Sequence, residues 1–570
     1  MNIVILSGGS GNDALVNGLE KLFGKNKDFN INVIVNAYDN GKSTGVCRAI
    51  TDTLGVSDIR KNHSRMYKAV HGSENVNPKL MEFYSGRYNF TPGDELKEIS
   101  ELLKSWDMEE YIPYAERFFA LPKAQNYQFK DFSVSNIIYA QMYKEIGYEK
   151  TNKHFCDKMN IDDFVVLNSF DNVYLKAKTQ SGKIIEDEGE TVFWNNPNDK
   201  IIGSVYDVEN ASYGINPKAV KLVESADLIL ISTGTFWSSI QPTIEYLDFY
   251  KYINASKASK IWVMNNDEDG DSWGVTSLEF VKFMEDTGLN LDDFKIIVNK
   301  DASEGMKLTD DKHNFVIKSM GNTKGKHDPK LFAKAILEIY FGLDKNFDKI
   351  IFDFDDTIFS RSLAKADVDM SVQNVKEIND FLSQKAIIIS GNSYSSINDK
   401  LKTVYADLKD FNVPIWADAN STLFVHGKMV EKLKELELSD KALDVINKLV
   451  KENHLEDKVS FVGEGKPVNI KIKPLTEDQR TQLKKSLESK SEGLFSASIT
   501  GKTTLDLLSP NNNKEMLYKH LQLAKANTLF VGDEVSAGND AVIGKLCDQY
   551  IEVKGVGETH IVLKLLEDKQ

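Results

Sequence analysis

Short hydrophobic runs alternate with helix-like segments along the first half of the chain. Five of these runs are rich in aliphatic and β-branched residues, which is typical of strands buried on both faces of a parallel sheet. They are NIVIL at 2–6, INVIVN at 31–36, DLILIST at 227–233, KIWVMN at 260–265 and FKIIVN at 294–299. This alternation predicts a doubly wound α/β sheet. Residues 75–130, rich in aromatic residues and helix formers, are predicted to form a helical insertion.

A second series of strand-like runs follows the polar segment LDKNFDK at 343–349. The runs are KIIFDF at 349–354, AIIIS at 386–390, PIWAD at 414–418 and TLFVGD at 528–533. Between 428 and 508, two helix-like segments alternate with strand-like runs, which favours an inserted α+β subdomain. We therefore predict two Rossmann-like, doubly wound parallel-sheet domains, 1–345 and 346–570, the second with a cap at about 428–508.

Length and composition narrow the class of protein. A chain of 570 residues exceeds the usual size of one core. The formal net charge of −15 disfavours binding to nucleic acid and to anionic membranes. The chain has no apolar run of about 18 residues, the length that spans a membrane, and its opening MNIVILSGG is predicted as a strand rather than a signal peptide. Three widely spaced cysteines predict a cytoplasmic protein without disulfides.

The second domain opens with an acidic strand end. Asp353 and Asp355 form a D-x-D-x-T pattern with Thr357, directly after an apolar run. Carboxylates placed there lie at the carboxyl edge of the sheet, where ligands bind in open α/β folds. A cation such as Mg²⁺ would relieve their repulsion, and one could then attack phosphorus while the other serves as general acid/base. Three further groups follow in order: Ser390 with Gly391 and Asn392; Lys514 at the start of a helix-like segment; Asp533 with Asp540 after TLFVG.

This ordered set resembles the haloacid dehalogenase superfamily over roughly 349–570. The resemblance implies that Asp353 is the nucleophile and Asp355 the general acid/base. It implies that Ser390 and Lys514 bind the phosphoryl group, with Thr357, Gly391 and Asn392 in the same substrate site. It implies Mg²⁺ as cofactor, held by Asp353, Asp355, Asp533 and Asp540. The late insert is similar to the branch with a large α/β cap, which includes sugar-phosphate phosphatases and phosphomannomutases.

The first domain carries a glycine-rich turn, LSGGSGNDALVNGL at 6–19, between a strand and a helix. Backbone N–H groups in such a turn can approach a phosphate closely. The turn supplies Gly8, Gly9, Ser10, Gly11 and Asn12 as candidate ligand-binding residues. AYDNGKSTGVCR at 37–48 follows the second strand and supplies Asp39, Asn40, Lys42, Ser43 and Thr44, and GVSDIRKN at 55–62 supplies Asp58 and Arg60.

Four later segments belong to the same set of motifs: SVSNIIYA at 133–140, INPKAV at 215–220, SADLILISTGTFWSSIQP at 225–242 and VMNNDEDG at 263–270. Together the motifs resemble the superfamily of 2-phospho-lactate transferase and the bacterial gluconeogenesis factor, over roughly 1–340. The resemblance implies binding of nucleotide diphosphate compounds. The usual Asp-Asp-Gly-Gly-Ser-Ser-Gly stands here as Asp39-Asn40-Gly41-Lys42-Ser43-Thr44-Gly45. One carboxylate is lost and a cation is gained, which puts metal-assisted transfer in doubt.

These observations predict a bifunctional enzyme. The first domain would bind a nucleotide-linked phosphodiester, with transfer of its phospho-moiety left open, and the second would be a Mg²⁺-dependent phosphatase acting on a small phosphorylated metabolite. One alternative is a nucleotide-sugar sensor that regulates the fused phosphatase, and another is a phosphomutase. The expected partners are small molecules rather than nucleic acid or membrane, and a homodimer is left open.

Overall fold

The structure is a computed structural model that describes residues 1–9, 11–23, 29–72, 74–186, 188–196, 198–208, 214–463, 465–500, 503–512, 514–535 and 540–567. The chain forms two compact units, Met1–Tyr340 and Phe341–Gln570, called unit 1 and unit 2 here. Among the helices of the described ranges, none has the length and apolar character needed to cross a bilayer.

Unit 1 contains strands β1–β10 and helices α1–α14. The strands are β1 (Asn2–Leu6), β2 (Asn30–Val35), β3 (Val165–Leu167), β4 (Val173–Thr179), β5 (Ile184–Ile185), β6 (Ile201–Val208), β7 (Leu228–Ile231), β8 (Ser259–Val263), β9 (Phe294–Asn299) and β10 (Phe315–Lys318). The helices are α1 (Asp13–Phe23), α2 (Lys42–Thr51), α3 (Ser57–His71), α4 (Pro78–Ser85), α5 (Glu95–Ser105), α6 (Ile112–Phe119), α7 (Val134–Ile146), α8 (Tyr148–Met159), α9 (Glu188–Val192), α10 (Pro217–Glu224), α11 (Gln241–Glu245), α12 (Tyr250–Ala255), α13 (Ser277–Thr287) and α14 (Pro329–Phe341). A π-helix spans Phe236–Ile240, and short 3₁₀ helices span Glu109–Tyr111, Pro122–Asn126, Tyr246–Asp248 and Glu304–Lys307.

Seven strands of unit 1 form one parallel sheet in the order β10-β9-β8-β7-β1-β2-β3. All five strands predicted for this domain lie in it, because their aliphatic side chains are buried on both faces. The predicted helical insertion is present as α4–α6. The small antiparallel sheet β5-β4-β6, which the sequence analysis does not predict, follows β3.

Unit 2 contains strands β11–β21 and helices α15–α21. The strands are β11 (Lys349–Asp353), β12 (Ala386–Ile389), β13 (Ile415–Ala417), β14 (Thr422–Val425), β15 (Lys428–Lys432), β16 (Val459–Val462), β17 (Asn469–Ile472), β18 (Ser496–Thr500), β19 (Thr504–Leu508), β20 (Thr528–Gly532) and β21 (Gln549–Glu552). The helices are α15 (Lys365–Leu382), α16 (Tyr394–Leu401), α17 (Asp440–Glu452), α18 (Glu477–Lys490), α19 (Lys514–His520), α20 (Ala541–Leu546) and α21 (Val556–Glu567). Short 3₁₀ helices span Leu408–Asp410, Lys434–Leu436, Glu456–Lys458 and Leu523–Lys525.

The main sheet of unit 2 has the order β15-β14-β13-β12-β11-β20-β21. Its strands β13-β12-β11-β20-β21 are parallel, and the hairpin β14–β15 extends it antiparallel. β15 lies within the range predicted for the cap and pairs in this main sheet. The cap itself is the antiparallel sheet β16-β17-β19-β18 with α17 and α18, which enclose their own apolar core. The predicted fold class, two doubly wound α/β domains with an α+β insert, is confirmed.

Two candidate functional sites

The first candidate site lies at the carboxyl edge of the sheet in unit 1. The chain runs from β1 through β2 to β3 on one side and continues from β7 outward on the other, so β1 and β7 form the topological switch point. Ligands of open α/β sheets bind in the crevice at such a point. Two cavities of about 210 and 580 Å³ lie here, and Thr235 lines both of them.

The glycines of the first turn are required by close packing. A Cβ atom on Gly11 would lie 1.7 Å from the Thr233 carbonyl oxygen, which follows β7. A Cβ on Gly9 would lie 2.2 Å from Asp58 Oδ1, and one on Gly8 would lie 2.3 Å from Ser239 Oγ. Glycine therefore lets α3 and the end of β7 approach the turn.

Two other residues of this turn are predicted to bind ligand. Asn12 is buried, and its amide donates to Asn62 Oδ1 at 2.9 Å. Ser10 lies outside the described residues.

The loop after β2 begins helix α2 beside the smaller cavity. Asp39 Oδ1 accepts a hydrogen bond from the Gly41 backbone at 2.9 Å, and the Asn40 carbonyl packs against Gly45. Lys42 has a φ of 44°, a conformation that favours glycine. Its ammonium lies 3.3 Å from Asp131, and its side chain is 54% exposed.

Ser43 and Thr44 line the same cavity and are held by side chains from other helices. Ser43 Oγ accepts hydrogen bonds from Arg87 at 3.0 Å and from Asn136 at 2.9 Å. Thr44 Oγ1 lies 2.6 Å from Ser57 Oγ. Both hydroxyls therefore have fixed positions at the start of α2.

Arg60 lies behind the cavity wall. Its guanidinium donates to Asn136 Oδ1 at 2.8 Å and to the Tyr84 carbonyl. Burial, and then the charge of Arg87, lower the pKa of Arg60 to about 10. Arg60 is thus connected to the cavity through Asn136, which donates to Ser43, whereas Arg87 and Lys61 line the cavity directly.

Arg87 and Lys61 are not among the residues predicted from the motifs. Lys61 is three residues after Asp58, so a helical projection places both on one face of α3. No local signal marks Arg87, because the helical insertion brings it to the site.

The larger cavity is rich in amides and carboxylates, which suit hydroxyl groups and base edges. Its polar side chains include Asp13, Asn17, Thr233, Thr235, Asn265, Asn266, Asp267, Glu268, Asp269, Lys324, Lys326 and His327. Asn265 accepts from the Gly234 amide at 3.1 Å and donates to its carbonyl at 3.0 Å, which holds the turn after β7. Burial, and then Asp267, raise the pKa of Asp269 to about 6.

The second candidate site lies at the carboxyl edge of the main sheet of unit 2. Asp353 ends β11, Asp533 follows the neighbouring parallel strand β20, and Asp540 precedes α20. One carboxylate oxygen of each lies within 4.8 Å of the others. A Cβ on Gly532 would lie 2.6 Å from Asp540 Oδ2, so glycine is needed for this approach.

Lys514 lies inside this acidic group. Its ammonium is 3.1 Å from Asp353 Oδ1 and also bonds Asp540. Burial raises the pKa of Asp353 well above its usual range, although Lys514 opposes the shift. Burial, and then Asp540, raise the pKa of Asp533 to about 6.

The donor set fits a divalent cation. When all three carboxylates are ionised, they and the one ammonium carry a net charge of −2, which one such ion would balance. Asp540 Oδ2 is buried with no hydrogen-bond partner among the described residues, so an oxygen is available to a ligand. Carboxylate oxygens are the ligands that Mg²⁺ takes from proteins.

Asp355, which the sequence analysis assigns to both catalysis and the metal, bonds two other side chains instead. Lys400 Nζ lies 2.5 Å from its Oδ1, and the Asn392 amide donates to its Oδ2. Its carboxylate is buried beside the acidic group without belonging to it. Sequence spacing gave no sign of Lys400.

The remaining predicted residues follow β11 and β12, which pair as parallel neighbours. Ser390 Oγ accepts from the Asn392 backbone at 3.1 Å. A Cβ on Gly391 would meet no heavy atom within 4 Å, so this turn faces open space. The Thr357 hydroxyl is buried with no hydrogen-bond partner among the described residues.

Each unit is thus an α/β domain with polar side chains gathered at the carboxyl edge of its parallel sheet. The family model of 2-phospho-L-lactate transferase CofD matches residues 3–334. The chain belongs to this family.

A curated relative and two solved structures are similar to parts of the chain. A putative gluconeogenesis factor of Aquifex aeolicus is 23% identical over 362 residues, which are 60% of this chain and 96% of the relative. A Bacillus halodurans crystal structure is 18% identical and covers 59% of this chain and 99% of its own, with a TM-score of 0.45. A haloacid dehalogenase-like hydrolase from Bacteroides thetaiotaomicron is 11% identical and covers 40% of this chain and 100% of its own, with a TM-score of 0.28. The last likeness is weak, and the chemistry of unit 2 rests on its own geometry.

Proposed function

We propose that unit 2 is a phosphatase that depends on a divalent cation and that unit 1 binds a nucleoside diphosphate conjugate. The observation that carries the first part is the buried group of Asp353, Asp533 and Asp540 around Lys514. Mg²⁺ held by the three carboxylates would neutralise charge on the phosphate oxygens. Lys514 would bind a phosphoryl oxygen from the same side.

The reaction requires a nucleophile and a group that moves protons. An Asp353 oxygen attacks phosphorus, the ester P–O bond breaks, and Asp355 gives a proton to the leaving oxygen. Water then attacks the aspartyl phosphate, Asp355 takes its proton, and the bond between phosphorus and Asp353 breaks. Inorganic phosphate and the free carboxylate of Asp353 result. Ser390, which follows the strand next to β11, and Thr357, which follows β11, would serve as hydroxyl donors to the phosphoryl group.

The test is phosphate release by the full chain and by Asp353→Asn. We expect wild-type hydrolysis of aryl or alkyl phosphates in Mg²⁺, none in EDTA, and none by Asp353→Asn. Asp369→Asn on α15, an exposed residue, is the matched control and should keep full activity. Turnover in H₂¹⁸O should place solvent oxygen in the released phosphate, whereas a mutase releases no net phosphate. Activity that survives both EDTA and Asp353→Asn would exclude this function.

The two cavities of unit 1 support one extended ligand. The smaller cavity has three cations, Lys42, Lys61 and Arg87, beside two carboxylates, which favours phosphate. The larger is lined by amides and carboxylates, which favours a nucleoside. Because Thr235 lines both cavities and Gly11 lines the larger one, the glycine-rich turn would face the diphosphate. Calorimetry with GDP, UDP-sugars and dinucleotides tests this, and the absence of any binding below millimolar concentration would contradict it.

The residues of the loop after β2 favour a unit 1 that binds its nucleotide ligand without transferring a phospho-group. Asn40 and Lys42 stand where the family pattern has a carboxylate and a glycine. A neutral amide is a weaker metal ligand than a carboxylate, and the lysine can itself neutralise a phosphate. Chromatography of the nucleotide after incubation with the full chain distinguishes a consumed substrate from a bound, unchanged ligand.

A further inference from the structure

Lys471 of the cap of unit 2 contacts the candidate phosphatase site. Ile470 and Ile472 of β17 are buried in the apolar core of the cap. Because side chains alternate along a strand, Lys471 lies on the opposite face. It pairs across the cap sheet with Asp506 of β19. Burial lowers the pKa of Lys471, with Asp506 opposing the shift, so its ammonium lies in a partly desolvated position.

Lys471 is connected to Asp355 through one amide. Its Nζ donates to Asn392 Oδ1 at 2.8 Å, and Asn392 Nδ2 donates to Asp355 Oδ2. Lys400, on α16, binds the other oxygen of Asp355. Both oxygens of this carboxylate are therefore fixed, one from the main domain and one from the cap by way of Asn392.

We propose that Lys471 and Lys400 are positioning residues for Asp355, and that the cap completes the acid/base group of the phosphatase by binding Asn392. This inference rests on the proposed phosphatase function and adds the cap's part in it. Without Lys471, the bond to Asp355 alone orients the Asn392 amide, and its acceptor end loses the contact from the cap. Lys471 takes the acceptor end, which leaves the donor end for Asp355.

The arrangement leaves room for proton transfer. A carboxylate oxygen has two lone pairs, and each Asp355 oxygen uses one on Lys400 or Asn392. The remaining lone pairs can face the leaving oxygen. Holding a catalytic group in one orientation is what gives an enzyme its advantage over a free acid, and small displacements cost much of it.

The test compares two leaving groups in the full chain. General acid catalysis matters for an alkoxide and little for p-nitrophenolate, which leaves without a proton. Lys471→Met and Lys400→Met should therefore lower kcat/KM by at least about tenfold on glycerol 3-phosphate or the best alkyl ester of a sugar-phosphate panel, and by less than about threefold on p-nitrophenyl phosphate. Lys466→Met is the matched cap control, since Lys466 pairs with the exposed Asp440, and it should change neither rate.

A second measurement separates positioning from a structural role. In an Asp355→Asn background the acid/base is absent, so adding Lys471→Met should cause no further loss on the alkyl ester. Lys471→Arg should restore part of the wild-type rate.

Equal losses on both esters, no loss on either, or full additivity with Asp355→Asn would overturn the inference. If Lys471→Met does not fold, Asn392→Ala provides the same comparison. A wild-type chain that hydrolyses neither ester would instead refute the phosphatase function, and the positioning role with it.

Discussion

Replacing Lys514 by methionine tests the charge balance on which the phosphatase site depends. The side chain of Lys514 is 7% exposed and bonds two carboxylates, Asp353 and Asp540. Methionine keeps most of the volume and removes the charge. With all three carboxylates ionised, the acidic group then changes from a net −2 to −3, and the loss of the lysine raises the pKa of Asp353 further.

The expected cost follows from burial. Removing one partner of a buried ion pair destabilises a protein by about 3–5 kcal/mol, because the other charge stays buried without compensation. Here one ammonium serves two carboxylates, which places the cost toward the upper end of that range. A bound divalent cation restores two positive charges, so the variant should bind Mg²⁺ about tenfold more tightly than wild type, equivalent to about 1.4 kcal/mol.

Calorimetric unfolding of the full chain in EDTA and in Mg²⁺ measures both quantities. Lys519→Met on the same helix is the control, because Lys519 is exposed and pairs with its neighbour Glu515 across one turn, so its effect should stay within about 0.5 kcal/mol. A Lys514→Met variant as stable as wild type in EDTA would refute the buried charge pair. A loss that Mg²⁺ leaves unchanged would show that the cation binds elsewhere.

Three further predictions concern unit 1. Lys42→Glu should weaken binding of a nucleoside diphosphate by about tenfold in calorimetry, and no more, because the side chain is half exposed. Gly11→Ala should abolish that binding and lower the melting temperature, since its Cβ would collide with the Thr233 carbonyl, whereas Gly203→Ala, where a Cβ meets nothing, should do neither. Burial, and then Asp269, raise the pKa of Asp271 to about 7. Between about pH 4 and pH 7 the folded chain therefore holds a proton on Asp271 that the unfolded chain has released. The stabilisation from this residue is lost as pH rises toward 7, by up to about 1.4 kcal/mol per pH unit. Asp271→Asn should flatten that slope in urea unfolding.

The two main sheets could be predicted because their central strands are short aliphatic runs that are unambiguous in the sequence. The acidic residues at the strand ends could be predicted from the sequence in the same way. Asp353 and Asp533 follow strands that the hydrophobic pattern defines, and neighbouring parallel strands bring their ends to one edge of the sheet. The small sheet β5-β4-β6 was missed because its strands pair with one another rather than with the main sheet, and β5 has two residues.

The side chains that hold the predicted residues could not be found by spacing. Lys400 is 45 residues from Asp355, and Lys471 is 79 from Asn392, so only the tertiary structure joins them. Part of the information was present in the alternation of VNIKIK, which places Lys471 on the polar face of a strand. At Arg60 the motif was misleading. Arg60 belongs to a motif but is buried away from the cavity, whereas Arg87 belongs to no motif and lines the cavity.

The relation between the two proposed functions can be decided by following the nucleotide. Covalent linkage raises the effective concentration of one module's product near the other, which helps only if unit 1 makes what unit 2 consumes. Asn40 and Lys42 favour binding without transfer, and then the ligand can act on the phosphatase only by binding two states of the chain with different affinity. We predict that a saturating ligand of unit 1 changes phosphatase kcat/KM by at least about threefold while the nucleotide stays intact, and that Gly11→Ala removes the effect. Consumption of the nucleotide in step with phosphate release would establish sequential catalysis instead, and a phosphatase rate indifferent to bound nucleotide would separate the two units functionally.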